Sequence, residues 1–357
     1  MDEKELEKAI EKTVLKMALD PKNTDNYHDL AKYYAMDNQM EKVISVYESL
    51  LTIDPKDMQA LLNLGSIFFY AKEYRKAINY FKEAMIVNPS NYLVYYNLGN
   101  TYAELKNFSL ALQFYSRTLD FNSNDPEIYN AIALLYHDFE DYVESKAYYE
   151  KSLSIDPENL TALIDLGNVC YKLFEYEKAL EYYHKVFTLA PTNKTVALCI
   201  ANTYTVLKDK EKAYKYFDAA IVLPDGDNYK AHICYAIAKS DFKDYDGAIE
   251  LYKKAIELNP ESANAHILLG NLYSNLQNFA EAETQYKEAL KINKLDPSIY
   301  VLIANVLFMN NDIENSLSSY RTASNLRPEN DEYKLVFIQV LEDYIKDARK
   351  GDLIANI

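Results

Sequence analysis

Apolar residues recur along this chain in two alternating clusters. In residues 58–91 the first cluster is Leu61, Leu64, Gly65 and Phe68, spaced by 3, 1 and 3 residues. The second is Ala77, Phe81 and Ala84, spaced by 4 and 3. Both spacings put their members on one face of a helix. The pattern therefore predicts two amphipathic helices, A and B, joined by a short polar turn. Pro89 follows the second cluster, where it ends helix B by pushing the residue before it out of the α region.

The same arrangement returns at a fixed interval. Pro21, Pro55 and Pro89 stand 34 residues apart, and the grid continues through Ser123, Pro157 and Pro191. After a slip of one residue it runs through Lys294 to Pro328. Nine segments fit: 24–57, 58–91, 92–125, 126–159, 160–193, 194–227, 229–262, 263–296 and 297–330. Position 8 is small in all of them: Ala31, Gly65, Gly99, Ala133, Gly167, Ala201, Ala236, Gly270 and Ala304. Position 24 is Tyr47, Phe81, Tyr115, Tyr149, Tyr183, Phe217, Tyr252, Tyr286 and Tyr320. A small residue lets the two helices approach, and the ring fills the space beside it. Val43, Ser145 and Ser316 at position 20, and Cys170 and Lys239 at position 11, are expected to weaken packing locally.

A period of this length marks a repeat array, in which each unit buries its faces against its neighbours. Residues 5–21 align with 73–89, so the chain is expected to open on an unpaired helix B within 1–23, with the polar Thr13 and Lys16 at its core positions. A C-terminal capping helix is expected at about 331–349, carrying Phe337, Ile338 and Leu341, followed by a frayed tail at 351–357. The extra residue falls in Asp225-Gly226-Asp227-Asn228, a turn signal read as a longer surface turn or a hinge.

The recurring set resembles the tetratricopeptide repeat: Leu at 7, Gly or Ala at 8, Tyr at 11, Ala at 20, an aromatic at 24, Ala at 27 and Pro at 32. The resemblance covers nearly the whole chain. It implies an all-α, right-handed superhelix whose concave face is lined by helix A through positions 2, 5, 6, 9, 12 and 13. Position 9 reads Lys32, Ser66, Asn100, Leu134, Asn168, Asn202, Ile237, Asn271 and Asn305. With Asn63 and Asn97 at position 6, these asparagines form an incomplete ladder. An amide carries both donors and an acceptor, so it can pair with the backbone of an extended peptide without reading its side chains. Similar ladders hold peptides in the superhelix of O-GlcNAc transferases, which this array resembles, though it carries no appended catalytic domain. The alternative reading of the asparagines is bonding to neighbouring turns or to water.

Apolar groups accompany the ladder, Tyr96 and Tyr171 among them, with Leu62, Phe69, Tyr70, Leu134, Ile164, Leu198, Ile233, Ile267, Leu268, Val301 and Phe308. An unfilled stripe of this extent points to a protein partner. The set of lysines and arginines that grips acidic chaperone tails in some family members is missing, since position 5 has no lysine and position 6 no arginine.

Charge narrows the partner. The formal net charge is −16, which disfavours nucleic acid and anionic membrane and leaves a basic or neutral protein segment. The N-terminal MDEKELEK lacks the apolar core of a signal peptide, and three cysteines suit a reducing compartment, so a cytoplasmic location is expected. Cys199 and Cys234 share position 6 of successive repeats, on helices expected to lie too far apart for a disulfide. The five histidines and the cysteines match no metal-ligand or nucleophile spacing, and no phosphate loop occurs. The expectation is therefore no cofactor, no metal and no catalysis. The chain reads as an adaptor holding an extended segment or helix of another protein. The alternatives are a self-assembling scaffold and a recruitment subunit of an enzyme such as a glycosyltransferase complex.

Overall fold

A computed structural model describes residues 3–223, 228–329, 334–342 and 345–346. All regular structure among these residues is helical. The first eleven helices are α1 (Glu3–Leu19), α2 (Thr24–Met36), α3 (Met40–Ile53), α4 (Met58–Tyr70), α5 (Tyr74–Val87), α6 (Tyr92–Glu104), α7 (Phe108–Phe121), α8 (Pro126–Asp138), α9 (Tyr142–Ile155), α10 (Leu160–Lys172) and α11 (Tyr176–Leu189). The next eight are α12 (Lys194–Val206), α13 (Lys210–Val222), α14 (Asn228–Asp241), α15 (Tyr245–Leu258), α16 (Ala263–Asn275), α17 (Phe279–Ile292), α18 (Pro297–Met309) and α19 (Ile313–Leu326). Even-numbered helices are helix A of each hairpin, and odd-numbered helices from α3 onward are helix B.

The chain divides into two compact units, Met1–Ala179 and Leu180–Ile357, with the boundary inside α11. Each is a stack of antiparallel hairpins, the α-solenoid arrangement. In the first unit α2 packs on α3, α4 on α5, α6 on α7 and α8 on α9, and each helix B also touches the next helix A. The second unit repeats this with α12 on α13, α14 on α15, α16 on α17 and α18 on α19. The expected opening helix is α1, packed against α2. Its Thr13 is buried and donates to the Ala9 carbonyl at 2.8 Å. In the expected capping helix, 334–342 and 345–346 are helical, and Ile338 is exposed. The expected tail at 351–357 and the turn residues 225–227 lie outside the described residues.

Local chemistry sets the helix starts. Asn23, Asp57, Asn91, Asp125, Asn159, Asn193, Ser262 and Asp296 each accept a backbone N–H at the head of a helix A. Such caps satisfy donors that the helix itself leaves open. Between A and B, one non-glycine residue adopts a left-handed backbone in every hairpin: Asn38, Lys72, Lys106, Glu140, Phe174, Lys208, Lys243, Gln277 and Asn311, with φ between 55° and 63°. Their spacing is 34 throughout, except for the step of 35 from Lys208 to Lys243.

This conformation costs a side-chain-bearing residue of order 1 kcal/mol, of which the greater unfolded-state freedom of glycine returns roughly half on substitution. Lys72→Gly with Lys208→Gly is therefore expected to add about 1 kcal/mol of stability, the two sites being far apart and additive. Urea denaturation followed by circular dichroism measures it, and a lowered midpoint would contradict the assignment.

Position 8 lies directly under the ring at position 24. A Cβ built on Gly99 would stand 2.5 Å from Tyr115 Cδ1, and one on Gly270 2.5 Å from Tyr286 Cε1. The serines at position 20 are buried without loss of pairing. Ser145 and Ser316 donate across the hairpin to the carbonyls of Ala133 and Ala304, each at 2.8 Å. Cys170 is fully buried, and Lys239 reaches Asp244 at 2.7 Å while its ammonium lies 5.0 Å from the Tyr214 ring centre.

Candidate functional site

The position-24 tyrosines bury their rings between helices and send their hydroxyls toward the helix-A face. In three hairpins the hydroxyl donates back to the position-9 asparagine. Tyr115 reaches Asn100 at 2.7 Å, Tyr286 reaches Asn271 at 2.8 Å, and Tyr320 donates to Asn305. Where position 9 has no acceptor, the hydroxyl turns forward to position 6 of the next hairpin. With Lys32 at position 9, Tyr47 meets Asn63, whose Nδ2 donates to it at 2.8 Å. With Leu134 there, Tyr149 reaches Asp165 at 3.4 Å. Tyr183 also turns forward, to Cys199, although Asn168 stands behind it and bonds Asp165 instead. Tyr252 has Ile237 behind it and Leu268 ahead, and burial raises its hydroxyl to about 12.

These bonds orient the ladder. Oδ1 of Asn100, Asn271 and Asn305 is engaged by a tyrosine, so what each amide has left to offer is its Nδ2 donors, one of which in Asn100 is already given to the Tyr96 hydroxyl. Asn168 bonds Asp165. Asn97 and Asn202 are half-buried and make no side-chain hydrogen bond to a described residue. For Asn202 the reason lies at position 24, where Phe217 has no hydroxyl to offer.

The apolar companions differ in exposure. Tyr70, Leu134 and Phe308 are open to solvent, while Ile233 is buried in the core. Tyr171 packs edge-on against Tyr176 at 5.3 Å, and Tyr96 lies 6.0 Å from the Tyr115 ring and bonds Asn100.

In the first unit, four successive A helices form a cleft of about 290 Å3. Phe69 of α4, Tyr96 and Asn100 of α6, Asn130 and Leu134 of α8, and Asp165 of α10 line it, with Glu104, Glu127 and Asp138 adding carboxylates. So Tyr96 and Asn100 share one cavity, whereas Asn63, Asn97 and Tyr171 do not line it. Asn130, Glu127 and Asp165 were not among the residues singled out from sequence. Asp165 sits at position 6, the position already notable for Asn63 and Asn97, and that was the available signal. Burial raises the Asp165 carboxyl above its ordinary range, and the Tyr149 hydroxyl partly offsets this.

The thiols are poor nucleophiles. Burial raises both Cys170 and Cys199 to about 11, and none of the three cysteines is in a disulfide. Among the described residues no group of three His, Cys, Asp or Glu side chains is placed to hold a metal ion, and no helix is long and apolar enough to cross a membrane.

Stacked hairpins with a small residue under each ring define a helical-repeat protein of the interaction type. Two family models described as tetratricopeptide repeat match the sequence, one at residues 68–135 and 241–306, the other at 125–192. Together they cover more than half of its length, and the chain belongs to the tetratricopeptide repeat family. No curated protein sequence matches it. Among solved structures, yeast Tom70 is similar with a TM-score of 0.55 at 16% identity, over 97% of this chain and 93% of that one. PilF of Pseudomonas aeruginosa gives 0.50 at 20% identity, over 63% and 99%. The type IV pilus biogenesis factor PilW gives 0.50 at 18% identity, over 57% and 93%. At these identities the likeness is one of fold.

Proposed function

We propose that this protein is a non-catalytic scaffold that holds an extended segment of another protein against its helix-A face. The carrying observation is the tyrosine-oriented asparagine amides. Fixed donors of this kind, at Asn100 in the first unit and at Asn271 and Asn305 in successive hairpins of the second, suit the carbonyls of an extended backbone, and fixing them beforehand lowers the ordering cost of binding. The exposed Leu134 and Phe308 supply apolar contact beside them. The acidic balance favours a basic or neutral segment over an acidic one. Asn63, Asn97, Asn100, Asn168, Asn202, Asn271 and Asn305, with Tyr96 and Tyr171, remain the proposed contacts.

A peptide-display selection on the purified chain tests this. Selected peptides should bind the double variant Leu134→Ala, Asn202→Ala at least about fivefold more weakly, an effect of the size that losing one buried contact produces. Neither side chain supports the fold, so the melting curve should stay in place. Undiminished binding to the double variant would count against the helix-A face.

A further inference from the structure

The cleft in the first unit is lined by negative charge with no cation among its walls. Carboxylates of Glu104, Glu127, Asp138 and Asp165 line it, and no Lys, Arg or His side chain does. Lys106 counters Asp138 from outside at 2.9 Å, with both groups exposed at the rim. Asp165 lies deeper, and its hydrogen-bonding partners are the neutral Tyr149 and Asn168, with His137 the one nearby group whose charge acts on it. Beside it, Oδ1 of Asn130 is buried without a hydrogen-bond partner. A buried acceptor left unpaired is unfavourable, so a donor reaching it is favoured. The half-buried ring of Tyr96 forms one wall, with the buried Tyr115 ring behind it.

An acceptor-lined cavity with aromatic walls suits a planar cation with several donors. A guanidinium offers five N–H groups and no acceptor, pairs with carboxylate through two parallel bonds, and stacks on aromatic faces. An ammonium is a compact, strongly hydrated point charge that uses the walls less well.

The geometry points to an arginine side chain of the bound segment as the occupant of this cleft, received by Asp165 and its neighbouring carboxylates. This rests on the reading that the helix-A face holds an extended segment, and it adds what that segment carries. The rest of the segment then runs over α6, α8 and α10 with its backbone against the amides.

Four pools of end-capped, dye-labelled nonapeptides test it on the full chain by fluorescence anisotropy at physiological salt. The central residue is Arg, Lys, Gln or Glu, and the other positions are drawn from Ala, Gly, Ser and Leu. The Arg pool should bind about tenfold more tightly than the Gln pool, the size of one charge-assisted bidentate contact, with Lys between them. Asp165→Asn, which keeps an oxygen for Tyr149, should abolish most of that preference. Neutralising Glu7 and Glu11, exposed on α1 outside the cleft, should leave it intact and so exclude a general effect of net charge. If Asp165→Asn fails to fold, Glu127→Gln at an exposed site takes its place. Equal binding of the Arg and Gln pools, or a preference that survives both substitutions, overturns the inference. If it fails while display-selected peptides still depend on Leu134 and Asn202, the helix-A reading stands without the arginine. If those peptides ignore both residues, the two readings fall together.

Discussion

Gly99→Val is expected to cost about 3 kcal/mol, at the upper end of what overpacking a core produces. The first added carbon would already stand 2.5 Å from Cδ1 and Cε1 of Tyr115, inside contact distance, and valine adds two more. Tyr115 cannot swing away freely, because its ring is 2% exposed and its hydroxyl is tied to Asn100. Alanine is a different case. It occupies position 8 in five hairpins beside the same ring, so a small displacement accommodates one methyl. Replacing a helical glycine also regains up to about 1 kcal/mol of propensity. Gly99→Ala should therefore lie within about 1 kcal/mol of the parent. Urea denaturation of both variants separates the cases. Equal stability of Gly99→Val and the parent would mean that α6 and α7 do not approach as described.

The second large effect concerns the ladder itself. Asn100→Ala should destabilise the chain by about 1–3 kcal/mol, because it strands the buried hydroxyl of Tyr115. Asn202→Ala should be near neutral, since Phe217 makes no demand on it. Adding Tyr115→Phe to Asn100→Ala should restore most of the loss, as the hydroxyl is then gone with its partner. Two native hairpins already do without the hydroxyl, with Phe81 in one and Phe217 in the other. The double-mutant cycle should give a coupling of about 1 kcal/mol or more between Asn100 and Tyr115. Additive losses would mean that the hydrogen bond contributes nothing. For binding experiments the consequence is practical: Asn202 is a clean probe of the face, whereas Asn100 and Asn271 report stability and binding together.

The helical hairpins were legible because their cause is local. A 3-1-3 spacing followed by a 4-3 spacing needs no tertiary information, and the small residue at position 8 already implied a close approach to the ring at 24. The helix starts were also written in the sequence, as an Asp, Asn or Ser before nearly every helix A. The direction of each tyrosine hydroxyl was not legible from periodicity alone. A period says which face a side chain occupies, and whether the hydroxyl turns back or forward depends on what stands at the two flanking positions and on whether that group is already bonded, as Asn168 is to Asp165 behind Tyr183. Tyr115 finds Asn100 behind and Ala131 ahead; Tyr149 finds Leu134 behind and Asp165 ahead. The Tyr–Asn spacing of 15 residues was the signal that could have revealed the pairing. The cleft was harder still. Its carboxylates come from three helices stacked laterally, and no run of sequence places Glu104, Asp138 and Asp165 together.

A photo-crosslinking amino acid placed at Leu134, on helix A, and in a separate variant at Ile86, exposed on helix B, tests the central claim most directly. With a display-selected peptide, the account predicts a covalent adduct from position 134 and none from position 86. An adduct from position 86, with none from 134, would contradict it.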